Sequence, residues 1–383
     1  MALHFSVEEF ARRRAAAIAA MEREALDGIL LFRQESMYYL TGYDTFGYVF
    51  FQCLYLGADG RMMLLTRAPD RLQALHTSVI DDIRIWVDAP DANPSLELRE
   101  ILRAFGCNGK RIGVEWEAYG LTARNGRRLA AALDGFCELA DASELISRLR
   151  LIKSPAELAH VRVAARLADD AFEQAVQLSG PGAFEGDILA AMQAAVIRGD
   201  GDDPANEFVI GSGTDALLCR YKSGRRVLEN GDQLTLEFAG VFRHYHVCHM
   251  RTFAIGNVDP RVVELNRIAV EALLTAEAAL RPGRPLSDVF DAYVRVMEQS
   301  GHGGNRLNAC GYSLGATFAP NWMDWPMIYR DSPIEVQPGM TFFIPIVLLD
   351  SRSGLAMTLG RTLEVTQQKA NPLSRIGLDL VVR

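Results

Sequence analysis

The sequence predicts two domains, an α/β domain over residues 1–150 and an α+β domain over residues 151–383. In the first part, short apolar runs alternate with amphipathic segments, which is the pattern of an α/β domain. A strong helix-start signal then interrupts this pattern near residue 154, and longer paired strand-like runs follow it. The length of 383 residues also favours two domains, because single hydrophobic cores rarely grow beyond about 250–300 residues.

Helical periodicity runs through residues 7–26 of the first domain. The residues predicted to share the apolar face of this helix are Phe10, Ala11, Ala15, Ile18, Ala19 and Met21. The β-branched and aromatic run at 28–32 then predicts a buried strand. Further predicted strands are 49–56, 61–66 and 111–115, and further predicted helices are 69–77, 95–105 and 123–133.

A capping box opens the second domain. Ser154 is suited to the N-cap, Pro155 to the first helical position and Glu157 to the third, so a helix is predicted over 155–178. Further predicted helices are 185–198, 260–280 and 286–300. The predicted strands are 207–210, 233–241, 244–255, 340–349 and 355–366. This mixture predicts an α+β domain with antiparallel strands.

Composition excludes several classes of protein. The 40 Lys and Arg against 48 Asp and Glu give a formal charge of −8, which disfavours a nucleic-acid partner. No apolar run reaches the roughly 18–20 residues that a membrane span needs, and residues 1–9 lack the basic and apolar regions of a signal peptide. Six scattered cysteines without a CxxC motif predict reduced thiols, and we expect a cytoplasmic protein.

A carboxylate stands within an apolar strand at Glu237, where burial would raise its pKa. The functional interpretation is a general acid/base or a nucleophile, and the alternative is a buried ion pair with Arg251. His246 is a candidate for a second proton-transfer group, since the ordinary pKa of histidine suits that work. For Arg251 itself, a fork that binds a substrate carboxylate and a structural ion pair both remain open.

His244, His246 and Cys248 recur with the period of a strand, so they are predicted to share one face. Together with Glu237 they offer the nitrogen, sulfur and oxygen donors that zinc accepts. The alternative places His244 in solvent at the end of a hairpin and Cys248 in the core as a small apolar residue. The residues alone do not decide between these interpretations.

Aromatic residues flank two predicted loops. Tyr312 is predicted in a glycine-flanked turn, where it either bonds a substrate or packs. Trp322 belongs to the loop 320–326, which contains two tryptophans and an aspartate and suits a delocalised cation, although a packed surface loop is the equal alternative.

Six blocks of the second domain, in order, resemble the pita-bread family of creatinase, aminopeptidase P and M24-like peptidases. They are 152–171, 229–240, 244–256, 309–315, 336–346 and 360–366. Residues 35–67 resemble the creatinase-type N-terminal domain. The resemblance implies a creatinase-like domain over 1–150, a pita-bread catalytic domain over 151–383, and a homodimer in which Tyr43 and Asp44 reach the substrate of the second copy.

The departures from the family pattern concern its two-metal site. The five metal-ligand positions of the family fall on Glu237, Cys248, Tyr312, Pro345 and Gly360. Proline and glycine side chains cannot bind a metal, and a phenol is a poor substitute for imidazole. The resemblance therefore implies a protein with no metal cofactor and without the peptidase chemistry of the family.

The blocks at 237–252 and 311–322 resemble ectoine hydrolase more than creatinase. This resemblance implies metal-independent hydrolysis of a C–N bond in a small amidine or guanidine zwitterion, by opening of an ectoine-like ring. The residues assigned to catalysis are Glu237 and His246, and those assigned to the substrate are Tyr43, Asp44, Arg251, Tyr312 and Trp322. Two alternatives stay open: a peptidase or lyase with a rebuilt metal site, and a catalytically inactive binding protein.

Overall fold

The computed structural model describes residues 3–383, so Met1 and Ala2 of the opening segment lie outside it. The chain divides into two compact units, Met1–Arg150 and Leu151–Arg383. Within residues 3–383, none of the helices combines the length and the apolar composition that a membrane crossing requires.

The first unit holds a six-stranded mixed sheet and its helices. The helices are α1 (Val7–Arg23), α2 (Gln34–Thr41), α3 (Arg71–Thr77), α4 (Pro94–Ala104), α5 (Ala123–Leu133) and α6 (Leu145–Leu151), the last of which ends at the boundary between the units. The strands are β1 (Gly28–Leu31), β2 (Cys53–Gly57), β3 (Met62–Arg67), β4 (Ile83–Trp86), β5 (Arg111–Val114) and β6 (Glu138–Asp141). Their order is β4-β3-β2-β1-β5-β6, with β1 antiparallel to β2 and parallel to β5.

Helix α2 was not predicted, because its N-terminal cap comes from a distant part of the chain. Arg33 at the N-cap position makes no capping hydrogen bond with its side chain. Instead, the buried carboxylate of Glu115, which follows β5, accepts hydrogen bonds from the backbone N–H groups of Phe32 and Arg33 and from the hydroxyl of Ser36. A carboxylate at this end also favours the helix dipole.

The buried face of helix α1 agrees with the predicted one only in part, since Phe10 and Met21 are buried as predicted. Ala11 and Ala15 are exposed, whereas Arg13 is almost fully buried. The Arg13 guanidinium lies 4.0 Å from the centroid of the Phe5 ring and donates to the carbonyl of Tyr39. Cation–π contacts and hydrogen bonds thus allow an arginine to lie on the buried face of this alanine-rich helix.

The second unit holds a larger, mostly antiparallel sheet. Its helices are α7 (Pro155–Leu178), α8 (Glu185–Arg198), α9 (Pro260–Ala279) and α10 (Leu286–Gln299). Its strands are β7 (Val209–Ser212), β8 (Gln233–Phe242), β9 (Tyr245–Ala254), β10 (Ala309–Ser313), β11 (Asp324–Tyr329), β12 (Thr341–Asp350), β13 (Leu355–Val365), β14 (Ala370–Pro372) and β15 (Val381–Val382). The main order is β11-β10-β12-β13-β9-β8-β7, with β14 beside β13 and β15 beside β9.

The predicted fold class is confirmed, and so is the capping box at the start of α7. Several strands were missed, and two of them, β10 and β11, border the candidate site. Tyr312 lies in the middle of β10 rather than in a turn, and Asp324 begins β11 rather than belonging to a loop. Glycine and proline are depleted from strands, so Gly311 in β10 and Pro326 in β11 argued against a strand in each of these segments of the sequence.

Helices cover one face of the large sheet. Helices α9 and α10 pack against β12 and β13 in one continuous apolar cluster, and the Arg361 guanidinium of β13 pairs with Glu277 of α9 at 2.7 Å. Helix α7 approaches β8 closely at Gly240. A Cβ atom built there would lie 2.0 Å from the carbonyl oxygen of Ala164 and 2.3 Å from the amide nitrogen of Ala168. The opposite face of the sheet carries the candidate site.

We expect Gly240→Ala to destabilise the protein, because the added methyl group overlaps the backbone of α7, which cannot move without separating helix and sheet. Overpacking of this kind reduces the free energy of unfolding by about 1–3 kcal/mol or more. Urea denaturation measures the change. Gly180→Ala is the matched control, since a Cβ at Gly180 has no atom within 4 Å. Equal stability of the two variants would show that α7 does not constrain β8 at this point.

Candidate active site

The strand register brings the five family ligand positions to one face of the sheet. Glu237 is paired with Met250, Met250 with Gly360, and Gly360 with Pro345. Paired residues point to the same side of a sheet, as do residues two apart along a strand. Cys248 on β9 and Tyr312, paired with Phe343 on β12, lie on this side by the same rule. We call this side the Glu237 face.

The surroundings of Gly360 leave little room for a carboxylate side chain at that position. A Cβ atom on Gly360 would lie 3.0 Å from the Phe343 ring and 2.9 Å from the Cα of Pro345. The Phe343 ring therefore fills the space that a longer side chain at position 360 would need. Pro345 on β12 and Gly360 on β13, two of the family's metal-ligand positions, are therefore sterically compatible with each other.

Glu237 is the one carboxylate among the five positions. Its side chain is half-buried, whereas its neighbours along the strand, Leu236 and Phe238, are fully buried. Burial raises the pKa of Glu237 to about 7, while the charge of Arg220 and a hydrogen bond with Tyr312 lower it. The carboxyl group thus titrates in the range that general acid/base catalysis at neutral pH requires.

Trp322 and Tyr312 form a hydrogen-bonded pair beside this carboxyl group. The indole N–H of Trp322 donates to the hydroxyl oxygen of Tyr312 at 3.0 Å. An indole can only donate, so the hydroxyl proton of Tyr312 is not used in this bond and remains available to the nearby Glu237, whose pKa Tyr312 lowers. Trp322 is 2% exposed and supports Tyr312, and its contact with a substrate stays a prediction.

His246 was predicted as a second proton-transfer group, and its hydrogen bonds contradict this. Its Nδ1 lies 2.8 Å from the carbonyl oxygen of His244, which can only accept, so Nδ1 carries the proton. Its Nε2 then accepts the backbone N–H of Ala205 at 2.9 Å. Neither nitrogen is left for a substrate, and burial lowers the pKa of His246 to about 3. The ring fastens the segment around Ala205 to the β8–β9 hairpin.

The alternative zinc site at His244, His246 and Cys248 is also not formed. His246 and Cys248 share the Glu237 face, but His244 lies in the turn before β9, where its ring stacks on Phe318 at 4.1 Å. Burial raises the pKa of the Cys248 thiol well above its usual range, which disfavours the thiolate that binds metals. Within residues 3–383, no three His, Cys, Asp or Glu side chains converge as a metal site. The donors present do not fit the two-metal centre of the family.

Arg251 lies on the opposite, helix-covered face, paired with Leu236 and not with Glu237. This register excludes the predicted Glu237–Arg251 ion pair. The guanidinium donates to the carbonyl oxygens of Met250 and Gly360, and the residue is 2% exposed. Arg251 is therefore a structural residue of the sheet, and the prediction that it binds a substrate carboxylate is wrong.

Tyr43 is a core residue of the first unit, contrary to its predicted role as a substrate contact. Its side chain has no exposed surface, and its hydroxyl donates to the side-chain oxygen of Gln52 at 3.0 Å. Asp44 beside it is half-buried, and its backbone N–H donates to the hydroxyl of Thr77. The contact of Asp44 with substrate stays a prediction.

Sequence reasoning missed Arg220 and Cys219, both of which lie near Glu237. The charge of Arg220 lowers the pKa of Glu237, and the charge of Glu237 raises the pKa of Cys219. Both residues follow a short 3-10 turn, Gly213–Leu217, in a segment without helical or strand periodicity. No pattern in such a segment distinguishes a site residue from a surface residue.

The chemistry available on this face is proton transfer at Glu237, supported by Tyr312, beside the positive charge of Arg220. A desolvated carboxylate stabilises a bound cation, and its ionised form can take a proton from water. The described residues supply no second proton-transfer imidazole on this face, because both nitrogens of His246 are occupied.

Comparison with known proteins agrees with this architecture. The sequence matches metallopeptidase family M24 over residues 159–367 and the creatinase/prolidase N-terminal domain over residues 13–152. Ectoine hydrolase from Halomonas elongata is 28% identical, and the match covers 100% of this chain and 99% of that protein. Xaa-Pro dipeptidase from Pyrococcus furiosus is 22% identical over 62% of this chain and 67% of that protein.

Among solved structures, dipeptidase PepE from Mycobacterium ulcerans superposes with a TM-score of 0.86 at 23% identity and covers 99% of both chains. At that identity the likeness demonstrates the fold alone. The M24 match extends over more than half of the chain, and the N-terminal match accounts for most of the rest. The chain therefore belongs to the pita-bread family, as a member of the hydrolase family M24 with a creatinase/prolidase N-terminal domain.

Proposed function

We propose that the protein hydrolyses a C–N bond in a small amidine-type zwitterion, with ectoine as the first compound to test, and that it does so without a metal cofactor. The observation that carries this proposal is Glu237. It is the one carboxylate among five positions that share a face, and the other four, Cys248, Tyr312, Pro345 and Gly360, supply neither the carboxylates nor the imidazole of the family's two-metal centre. The full-length similarity to ectoine hydrolase supports the same substrate class.

The proposed reaction uses the charge of the substrate in place of a metal. An amidinium carbon is already electrophilic, because its positive charge is shared between two nitrogens. The Glu237 carboxylate accepts a proton from water while the water oxygen forms a C–O bond to that carbon. The C–N bond of the tetrahedral adduct then breaks, and the leaving nitrogen receives the proton, which yields an amide and an amine. An uncharged peptide bond lacks this activation.

We further propose a cytoplasmic homodimer that binds a small zwitterion and has no nucleic-acid or membrane partner. Six free cysteines and the formal charge of −8 support this proposal. Phe46, Val49 and Phe50 of the first unit are 79%, 58% and 46% exposed, which supports contact with a second copy.

Replacing Glu237 by Gln retains the shape and an acceptor for Tyr312 but removes the charge and the proton-transfer group. We expect kcat on ectoine or a related amidine to fall by about 10²–10⁴-fold. Glu173→Gln, an exposed change on α7, is the control and should leave kcat unchanged. Steady-state kinetics on a panel of ectoine, creatine, amidines and Xaa-Pro dipeptides provides the measurement. Turnover of the dipeptides alone would overturn the proposed function, and normal kcat in Glu237→Gln would overturn the role of the carboxylate.

Chelation should leave this activity intact. We expect elemental analysis of protein purified without chelator to find well under one zinc, manganese, iron or cobalt ion per chain. Incubation with EDTA should not change kcat, because no step of the proposed reaction uses a metal. A dipeptidase of the same fold treated in parallel is the positive control for chelation. Stoichiometric metal together with loss of activity in EDTA would show that the reaction depends on a metal.

The raised pKa of Glu237 predicts how the free energy of unfolding depends on pH, and this dependence can be measured without a substrate. A carboxyl group with a pKa near 4.5 in the unfolded chain and about 7 in the folded protein stabilises the fold below pH 4.5, and this contribution is lost as the pH rises to 7. Glu237→Gln should therefore match wild type at pH 4 and be more stable by about 2–3 kcal/mol at pH 8. Urea denaturation at both values tests this, with Glu173→Gln as control. A gain that is equal at both pH values would disprove the desolvation of the carboxylate.

A further inference from the structure

The arginines around the large sheet differ in what they bind. Arg226 donates to Ser212 and pairs with Asp232. Arg361 pairs with Glu277. Arg220, in contrast, forms no ion pair within residues 3–383, and the one hydrogen bond of its guanidinium among these residues goes to the sulfur of Met323, at 3.9 Å. It is an exposed cation whose hydrogen-bonding capacity is largely unused.

The segment that carries Arg220 is fastened to the Glu237 face. Thr235 lies two residues before Glu237 on β8 and therefore points to the same side. Its hydroxyl donates to the carbonyl oxygen of Ala216 at 2.9 Å, which ties the 3-10 turn before Arg220 to this side of the sheet. Met323 approaches from the segment between β10 and β11. Arg220 thus lies where two connecting segments meet beside the carboxylate.

The charges of Arg220 and Glu237 interact without forming an ion pair. The guanidinium is near enough to lower the pKa of Glu237, yet the two groups are not within salt-bridge distance. Glu237 is half-buried and Arg220 is exposed, so one charge lies on the sheet and the other at its solvent-facing edge. A ligand between them would meet a negative group at one end and a positive group at the other.

We propose that Arg220 binds the carboxylate of the substrate and thereby restricts the site to zwitterions. A planar guanidinium matches a carboxylate with two parallel hydrogen bonds, and Arg220 has the free N–H groups to form them. The amidinium of the same molecule then faces Glu237. This inference rests on the proposed function and adds to it the residue that distinguishes an amidinium carboxylate from a simple amidine.

The test compares ectoine with its primary carboxamide, which keeps the amidine but has no anionic end. We expect wild type to prefer ectoine through a lower KM. Arg220→Gln should raise the KM for ectoine by about 10- to 100-fold, the loss typical of a hydrogen bond to a charged group, and leave the KM for the carboxamide unchanged. Arg220→Lys should restore part of the preference. Arg225→Gln, an exposed change in the same segment, is the control and should behave as wild type.

The outcomes separate this inference from the proposed function. An equal change in KM for both compounds would show that Arg220 does not recognise the carboxylate. Unchanged kinetics of Arg220→Gln with ectoine would overturn the inference while leaving the proposed function in place. Absence of turnover of every amidine by wild type would overturn both. Thermal denaturation of Arg220→Gln confirms that a change in KM does not come from unfolding.

Discussion

The turn between β8 and β9 determines which side chains form the candidate site. Arg243 and His244 both have positive φ, at 52° and 65°, as the two-residue turn of a tight hairpin requires. The Asp202 carboxylate accepts a hydrogen bond from the backbone N–H of His244 at 3.0 Å. The carbonyl oxygen of His244 accepts a second hydrogen bond, from Nδ1 of the His246 ring, at 2.8 Å. These bonds hold residues other than glycine in a strained conformation. Without that turn, a slip of one residue in either strand would move the site residues of that strand to the helix-covered face.

The same register explains why the metal-binding residues of the family are replaced together on neighbouring strands. Pro345 and Gly360 are directly paired, and Phe343 packs over Gly360 in the space that a longer side chain there would occupy. Restoring a carboxylate at position 360 would therefore require the Phe343 ring to move. Tyr312, at the position where the family has histidine, instead lies beside Glu237 and lowers its pKa. The substitutions fit one another as a set.

The regular elements of the catalytic unit followed from the sequence because their signals are local. Helix α7 begins with the predicted capping box, and β8 and β9 follow the predicted alternation. The strand pattern also placed His246 and Cys248 on one face, as the register shows. What the sequence did not contain was the set of partners: His246 has the right residue type for catalysis, but hydrogen bonds to distant backbone groups occupy its ring. Arg220 lies in a segment without periodicity, so only its position in space reveals it.

A carboxylate held out of water needs a counter-charge, and the surroundings of Glu237 supply only a partial one. In a two-metal hydrolase the metal ions neutralise such carboxylates and polarise the substrate at the same time. Here Arg220 acts from a distance too great for an ion pair, and burial still keeps the pKa of Glu237 near 7. A bound amidinium would complete the neutralisation. The ligand would then serve as both counter-ion and electrophile, which is why a cationic C–N compound suits this face better than a neutral peptide.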